Sequence, residues 1–309
     1  MGLVNTVTVD EQDIRTSVTM REAIDAVRRG FIDLAHGEFE MPVRTVLRDG
    51  QFLVMPVHHR ATSSAMVKTL SVNFDRKPAI AGTVVWSETG RIDHLVADAA
   101  AVTALRTGAV VGVATDLLAA PEACRLTMIG AGGQAPDQIR AVHAVRPLRQ
   151  LTVAARNPRS AQALADKIGL ELGGADVTTA TDINAALVDA EIVCCATTAT
   201  KPLFAKASLP AEVHVNAIGA FRPSMRELSD DLLADSTVVV DQLEAVLEES
   251  GEIIHALESG AITTDALTEL GYALVRPQTD RRRRTVFKSV GTAIQDWAVA
   301  SLLAKNFLR

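Results

Sequence analysis

The chain has 309 residues, of which 48% are hydrophobic and 22% charged, and its formal net charge is -6. That length accommodates two modest domains with sizeable cores, in a composition typical of soluble globular proteins. The acidic balance excludes a general nucleic-acid or membrane-surface binder, no apolar run reaches the roughly 18 residues needed to span a bilayer, and the opening "MGLVNTVTVD" lacks the basic and apolar regions of a signal peptide.

From Thr19 to Phe39 apolar residues recur at helical spacing. Thr19 is the expected N-cap, with Glu22 three residues on as its capping-box partner. From Arg44 to Val85 the pattern becomes alternation ("RTVLRD", "QFLVMPV", "AMVKTLSVNF", "AGTVVWSE"). This predicts strands of a mostly antiparallel sheet, with Glu88 to Arg91 as a turn. His94 falls in a further strand, in a structural role. Asp98 is the expected N-cap of a long Ala-rich helix from Asp98 to Ala119, closed near Pro121, which cannot continue it.

Beyond that helix, continuous apolar runs ("LTMIG", "LTVAAR", "ADVTTA", "EIVCCAT", "VHVNAIG", "STVVVD") alternate with helical stretches. Such runs predict a doubly wound parallel sheet, making the chain an α/β protein. Thr285 to Leu308 reads as one final helix, and "RRRR" at Arg281 to Arg284 as a solvated turn. Of the three cysteines, Cys124, Cys194 and Cys195, the adjacent two face opposite sides of a strand and cannot readily pair. No metal-ligand spacing is present. Free thiols suit a reducing compartment, so a cytoplasmic location is expected.

The stretch after "LTMIG" carries the clearest chemistry. Gly130, Gly132, Gly133, Gln134 and Ala135 form a G-x-G-x-x-A turn between a strand and a helix. Gly130 permits the tight turn, Gly132 lets backbone approach a pyrophosphate, and Ala135 lets the helix lie close on the strand. The helix N-terminus then offers free amides and a positive dipole end to phosphates. The motif is weak alone but stands in the required strand–turn–helix context. An acid closing the second strand would select NAD through the ribose hydroxyl. Here that strand ends in Arg156, Asn157 and Arg159, and two guanidinium forks suit a 2′-phosphate, favouring NADP(H) over NAD(H). Thr197 and Thr198 follow the fourth strand, and Asn216 and Gly219 the fifth, at the carboxyl edge where a ligand lies. Asn216 and Gly219 are therefore expected beside the nicotinamide.

Several longer stretches resemble the ornithine cyclodeaminase/mu-crystallin family: "MPVR" (Met41 to Arg44), "VMP" (Val54 to Pro56 spans it as Val54-Met55-Pro56), "VKTLSVN" from Val67, "TALRTGA" from Thr103, "IGAGGQA" from Ile129, "NAIGAFRPSMREL" from Asn216 and "VFKSVGTAIQDWA" from Val286. The resemblance implies a Rossmann-like domain over residues 117–289 and a smaller α+β substrate and dimerisation domain over residues 1–116 with 290–309. It implies a homodimer, a nicotinamide cofactor, and a small α-amino, α-imino or α-keto acid as substrate. The positions matching the family's carboxylate-binding residues are Arg44, Lys68 and Arg106. Two guanidinium forks and an ammonium would fix a carboxylate in orientation as well as charge. His58 follows "VMP" and is a candidate for lining the pocket, with a surface loop as the alternative.

Cyclodeaminases of the family carry an aspartate in "NAVGGD" as base, and here that position is Phe221, which cannot take a proton. "GAFRPSMREL" instead resembles the ketimine reductase branch. The expected reaction is NAD(P)H-dependent reduction of a small cyclic ketimine, of the pyrroline-2-carboxylate or piperideine-2-carboxylate type, at its C2 imine carbon. Lys68 is the expected catalytic residue, holding the carboxylate and assisting protonation of the imine nitrogen, with Asp296 orienting a cation from behind. The alternatives are an amino-acid dehydrogenase or N-substituted amino-acid synthase, a cyclodeaminase-type lyase, and a non-catalytic ligand-binding protein.

Overall fold

The computed structural model describes residues 5–48, 50–73, 75–276 and 283–308. The chain divides into two compact units, Met1–Val110 with Thr292–Arg309, and Val111–Gly291.

The first unit runs β1 (Thr6–Val9), α1 (Glu11–Ser17), α2 (Met20–Ala35), β2 (Phe39–Glu40), β3 (Thr45–Leu47), β4 (Phe52–His59), β5 (Ser64–Val72), β6 (Ile80–Glu88) and β7 (His94–Asp98), then enters α3 (Ala99–Leu118). Its sheet has the order β1-β7-β6-β5-β4-β2, with β3 also on β4. All pairings are antiparallel except β1 with β7. Thr19 caps α2 as expected: its backbone N–H donates to the Glu22 carboxylate at 2.9 Å, and its hydroxyl accepts from Glu22 N–H at 3.3 Å. Gly30 of α2 faces Ile294 and Ala298 of the C-terminal helix. Asp98 caps α3 by accepting from Ala101 N–H at 2.7 Å. By length and composition α3 could cross a membrane, yet 94% of its most apolar window is buried inside the protein. It is a core helix, apolar all round because it is covered all round.

The second unit continues with β8 (Arg125–Ile129), α4 (Ala135–Val145), β9 (Gln150–Ala154), α5 (Pro158–Gly169), β10 (Asp176–Ala180), α6 (Ile183–Leu187), β11 (Ile192–Cys195), β12 (Val213–Ala217), α7 (Asp230–Ala234), β13 (Thr237–Val240), α8 (Leu243–Glu249), α9 (Gly251–Glu258), β14 (Leu267–Glu269), α10 (Leu270–Val275) and β15 (Arg284–Lys288). Its sheet order is β10-β9-β8-β11-β12-β15-β13-β14, with every pairing parallel. This is the doubly wound α/β sheet. Apolar clusters cover both faces, which explains the continuous apolar strands. Cys194 joins one cluster and Cys195 the other, so the two thiols do face opposite sides.

The reading of Thr285 to Leu308 as one helix is corrected. Thr285, Val286 and Phe287 belong to β15, inserted between β12 and β13, and the helix begins only at Ala293. Two features separate them. Gly291 adopts φ +86°, outside the helical region. Asp241 also holds the turn open, its Oδ2 accepting from Ser289 Oγ, Val290 N–H and Gly291 N–H at 2.7, 3.0 and 2.9 Å. The arginine run is not simply a solvated turn either. Arg284 is a β15 residue whose guanidinium meets Asp235 at 2.6 Å and donates to Pro210 O. Arg281 and Arg282 lie outside the described residues.

Candidate active site

In the first unit, strand alternation turns Lys68 of β5 to the buried face with Met66 and Leu70. A lysine there needs partners, because a buried ammonium loses its hydration. Lys68 Nζ donates to Thr103 Oγ1 at 2.6 Å and Asp296 Oδ1 at 2.8 Å, with both Lys68 and Asp296 fully buried. Thr103 and Arg106 lie three residues apart on α3 and so share a face. Arg106 Nε meets the same Asp296 oxygen at 3.2 Å, and its Nη1 donates to Gln295 Oε1 at 2.6 Å. Arg44, just ahead of β3, is near enough to act electrostatically on Lys68.

Two of the three expected carboxylate ligands, Lys68 and Arg106, thus meet at one buried carboxylate, and Arg44 acts on Lys68 from nearby. Lys68 and Arg106 share one carboxylate, so the pair retains a positive surplus. Burial lowers the Lys68 pKa to about 8; Asp296 opposes the shift, and Arg106 and Arg44 add to it. Asp296 Oδ2 is buried and accepts no hydrogen bond among the described residues. A cluster of this kind can attract a small organic anion. Asp296 takes the orienting position expected of it, whereas Thr103 and Gln295 were not singled out from sequence. Their signal was there: a hydroxyl one helical turn from Arg106, and an amide beside the buried acid.

His58 does not join the cluster, and its reading as a pocket residue is corrected. It pairs with Ala65 on the sheet face opposite Lys68, a consequence of the two-residue period of strands. Its Nδ1 lies 3.8 Å from Glu40. His59, the next residue, turns inward onto Phe39 and Trp297, with ring centroids 4.5 and 4.4 Å away.

In the second unit the glycine turn leaves β8 where the strand order reverses, between β8 and β11, the crevice in which such sheets bind ligands. Gly130 has φ +105°, and a Cβ there would lie 2.5 Å from Ala196 O. Around Gly132 and Gly133 a Cβ would meet nothing within 4 Å, so the backbone is open to a close-lying group. Gln134 Oε1 is buried without a hydrogen-bond partner among the described residues, and Ala135 opens α4 fully buried. These features fit a dinucleotide pyrophosphate. Arg156 and Arg159 are exposed at the end of β9. Asn157 caps α5, accepting from Arg159 N–H at 3.0 Å.

At the carboxyl edge, Thr198 is exposed, while Thr197 is fastened to the buried Glu227. Its N–H and Oγ1 donate to Glu227 Oε1 at 2.7 and 2.8 Å. Gly219 N–H donates to Glu227 Oε2 at 2.8 Å. Asn216 is corrected: it is a core residue, not one facing a nucleotide. Fully buried in β12, it donates to Thr115 Oγ1 at 3.0 Å, and its Oδ1 lies 3.1 Å from His214 Nε2. Phe221 packs on the core of the second unit, with the Arg222 guanidinium 5.4 Å from its ring centre.

Residues 4–309 match the family model described as the ornithine cyclodeaminase/mu-crystallin family. The chain is 34% identical over 312 residues to a Delta(1)-pyrroline-2-carboxylate reductase of Paracoccus denitrificans (strain Pd 1222), covering 95% of this chain and 94% of that one. It is 28% identical to the ketimine reductase mu-crystallin of Macropus fuliginosus, covering 95% and 93%. The solved structure of Thermococcus litoralis Delta(1)-pyrroline-2-carboxylate reductase in complex with NADH and L-proline superposes with a TM-score of 0.93 at 29% identity, covering 98% of this chain and 97% of that one. Spanning residues 4–309, the match shows that this chain belongs to the ornithine cyclodeaminase/mu-crystallin family.

Proposed function

We propose that this protein reduces a small cyclic ketimine acid, of the pyrroline-2-carboxylate or piperideine-2-carboxylate type, to the cyclic amino acid. The observation that carries the reading is the buried Lys68–Arg106–Asp296 cluster with its positive surplus. Arg106 and Lys68, with Arg44 beside them, hold the substrate carboxylate. The Gly130–Ala135 turn would hold the pyrophosphate of a nicotinamide dinucleotide, which in its reduced form would be the hydride source for the imine carbon. Lys68 Nζ holds the proton that the ring nitrogen needs, while Thr103 and Asp296 fix the direction of that ammonium. Clamping the acid in one orientation is the main contribution asked of the protein, since position alone removes much of such a barrier. Phe221 at the position of the cyclodeaminase aspartate speaks against the lyase reading, because a phenyl ring takes no proton.

Arg156 and Arg159, exposed at the end of β9 with no acid beside them, support NADP(H) as the preferred cofactor. Purified protein is expected to consume NADPH with pyrroline-2-carboxylate and to form proline. No consumption with either five- or six-membered cyclic imine would overturn the reductase reading. Converting Arg156 and Arg159 to alanine together should raise the KM for NADPH about tenfold or more and leave that for NADH within about twofold. An unchanged ratio would end the NADP(H) assignment while leaving the reductase intact.

A homodimer is part of the same reading. The sheet face opposite Lys68 exposes Leu47, Phe52, Val67 and Val85, on the neighbouring strands β3 to β6. Exposed apolar side chains gathered on one sheet face suit an association surface, and a second copy would cover it symmetrically. Sedimentation equilibrium should return twice the 32.9 kDa of one chain; a single-chain mass would refute the dimer.

A further inference from the structure

The second unit holds a buried charge set of its own. Glu227, Glu252 and Lys288 are all fully buried in the second unit. The Lys288 ammonium meets Glu252 Oε1 at 2.8 Å and donates to Ala220 O. Glu227 takes both donors of Thr197 and the N–H of Gly219. The loop after β12 is therefore gripped on adjacent residues, at the Gly219 N–H by Glu227 and at the Ala220 carbonyl by Lys288. The loop after β11 is held by the same Glu227.

Backbone contacts close the arrangement. Arg226 N–H donates to Ala199 O at 2.8 Å, and Leu203 N–H to Glu227 O at 2.9 Å, so residues 226–227 lie along the β11 loop. A Cβ on Gly219 would fall 2.3 Å from Thr197 O, and one on Gly251 2.0 Å from Met225 O. Both glycines are required by close backbone approach. Desolvation raises the Glu227 pKa and the like charge of Glu252 adds to the shift, while the Lys288 charge and the Thr197 hydrogen bonds oppose it. Three donors aimed at one carboxyl group are satisfied by its ionised form.

We propose that Glu227 is a positioning residue for the nicotinamide half of the cofactor. It locks the loops after β11 and β12 into one preformed seat, with the buried Lys288, itself paired with Glu252, as the nearby opposite charge. The inference rests on the proposed dinucleotide binding. In the order β10-β9-β8-β11-β12, the adenosine half belongs over β9 and the nicotinamide half over β11 and β12. Among the described residues, the Glu227 carboxylate accepts its hydrogen bonds only on the latter side.

That asymmetry supplies the test. Glu227→Gln keeps the size but replaces one acceptor oxygen with a donor amide, opposing at least one of the three N–H and O–H groups. By calorimetry on the enzyme without substrate, the Kd of NADPH should rise about tenfold or more, as expected for loss of charge-assisted hydrogen bonds. The Kd of 2′-phospho-ADP-ribose, which lacks the nicotinamide, should stay within about twofold, because its contacts lie on the β8 and β9 side. Equal loss for both ligands would mean general damage to the unit and would overturn the proposal, as would no loss for either. Should Glu227→Gln fail to fold, Thr197→Val removes one of the three donors and is held to the same comparison, with about a threefold loss expected for NADPH alone. Wild-type protein that binds neither NADPH nor NADH would refute the dinucleotide reading itself. Wild-type binding with both variants unaffected would refute only the role of Glu227.

Discussion

Lys68→Met is expected to lower kcat/KM for the cyclic imine about 10³-fold, the scale of losing a preorganised charge at a reacting centre, while the Kd of NADPH stays unchanged. Methionine fills similar volume, so the loss is of the ammonium and its directed N–H groups. Lys68 is the group whose charge is most finely balanced, with burial and two arginines lowering its pKa to about 8. The protonated form attracts the substrate carboxylate, so acid binding should be full below that value and weaken as pH rises through about 8. By linkage, the bound acid in turn raises the Lys68 pKa. Titrating pyrrole-2-carboxylate, a planar acid that accepts no hydride, against the protein across this range reads the step directly. In Lys68→Met the step should vanish. A variant that turns over normally, or a wild-type profile flat through this range, would remove Lys68 from the mechanism.

Asp296→Asn should have the second largest effect, chiefly on stability. Asp296 Oδ1 is shared by the Lys68 ammonium and the Arg106 guanidinium, with the acid and the lysine fully buried and the arginine nearly so. The amide keeps the shape but leaves the cations without their buried counter-charge. Breaking such a group costs about 3–5 kcal/mol, and at roughly 2–4 °C per kcal/mol for units of this size the Tm should fall by at least about 6 °C. A saturating carboxylate ligand restores negative charge and binds only the folded state, so pyrrole-2-carboxylate should recover part of the loss. An unaltered Tm in scanning calorimetry would show that Asp296 does not carry the charge balance. A fall with no recovery by the acid would show that the ligand's carboxylate does not meet these cations.

Much of the fold was legible because local rules and tertiary structure agreed. Thr19 and Glu22 declared the start of α2, and Asp98 that of α3, since capping needs only residues three apart. The alternation from Arg44 to Val85 and the continuous runs after Arg125 separated an antiparallel sheet with one exposed face from a parallel sheet covered on both. The failures came where distant contacts overruled local pattern. "TVFKSVGTAIQDW" has apolar residues that suit a helix as well as a strand. β15 exists because β12 and β13, more than 40 residues earlier in the chain, leave a slot between them. His58 and Asn216 were placed by nearness to a motif, and strand parity then turned one to the wrong face and the other into the core.

From its residues alone, this protein's glycine turn and its lack of an acid after β9 were determined, because these depend on side-chain chemistry and short spacings, whereas Arg44, Lys68 and Arg106 were singled out by the family resemblance of the motifs that carry them. Only the tertiary structure decided that Lys68, Arg106 and Asp296, from a strand, an early helix and the last helix, share one buried carboxylate oxygen. It alone also joined Glu227 to Thr197 and Gly219. The physical reason is the same in both cases. A buried charge is tolerated only beside its partners, and which partners are near is set by how the chain folds back on itself, across 228 residues for Lys68 and Asp296 and across 30 for Thr197 and Glu227.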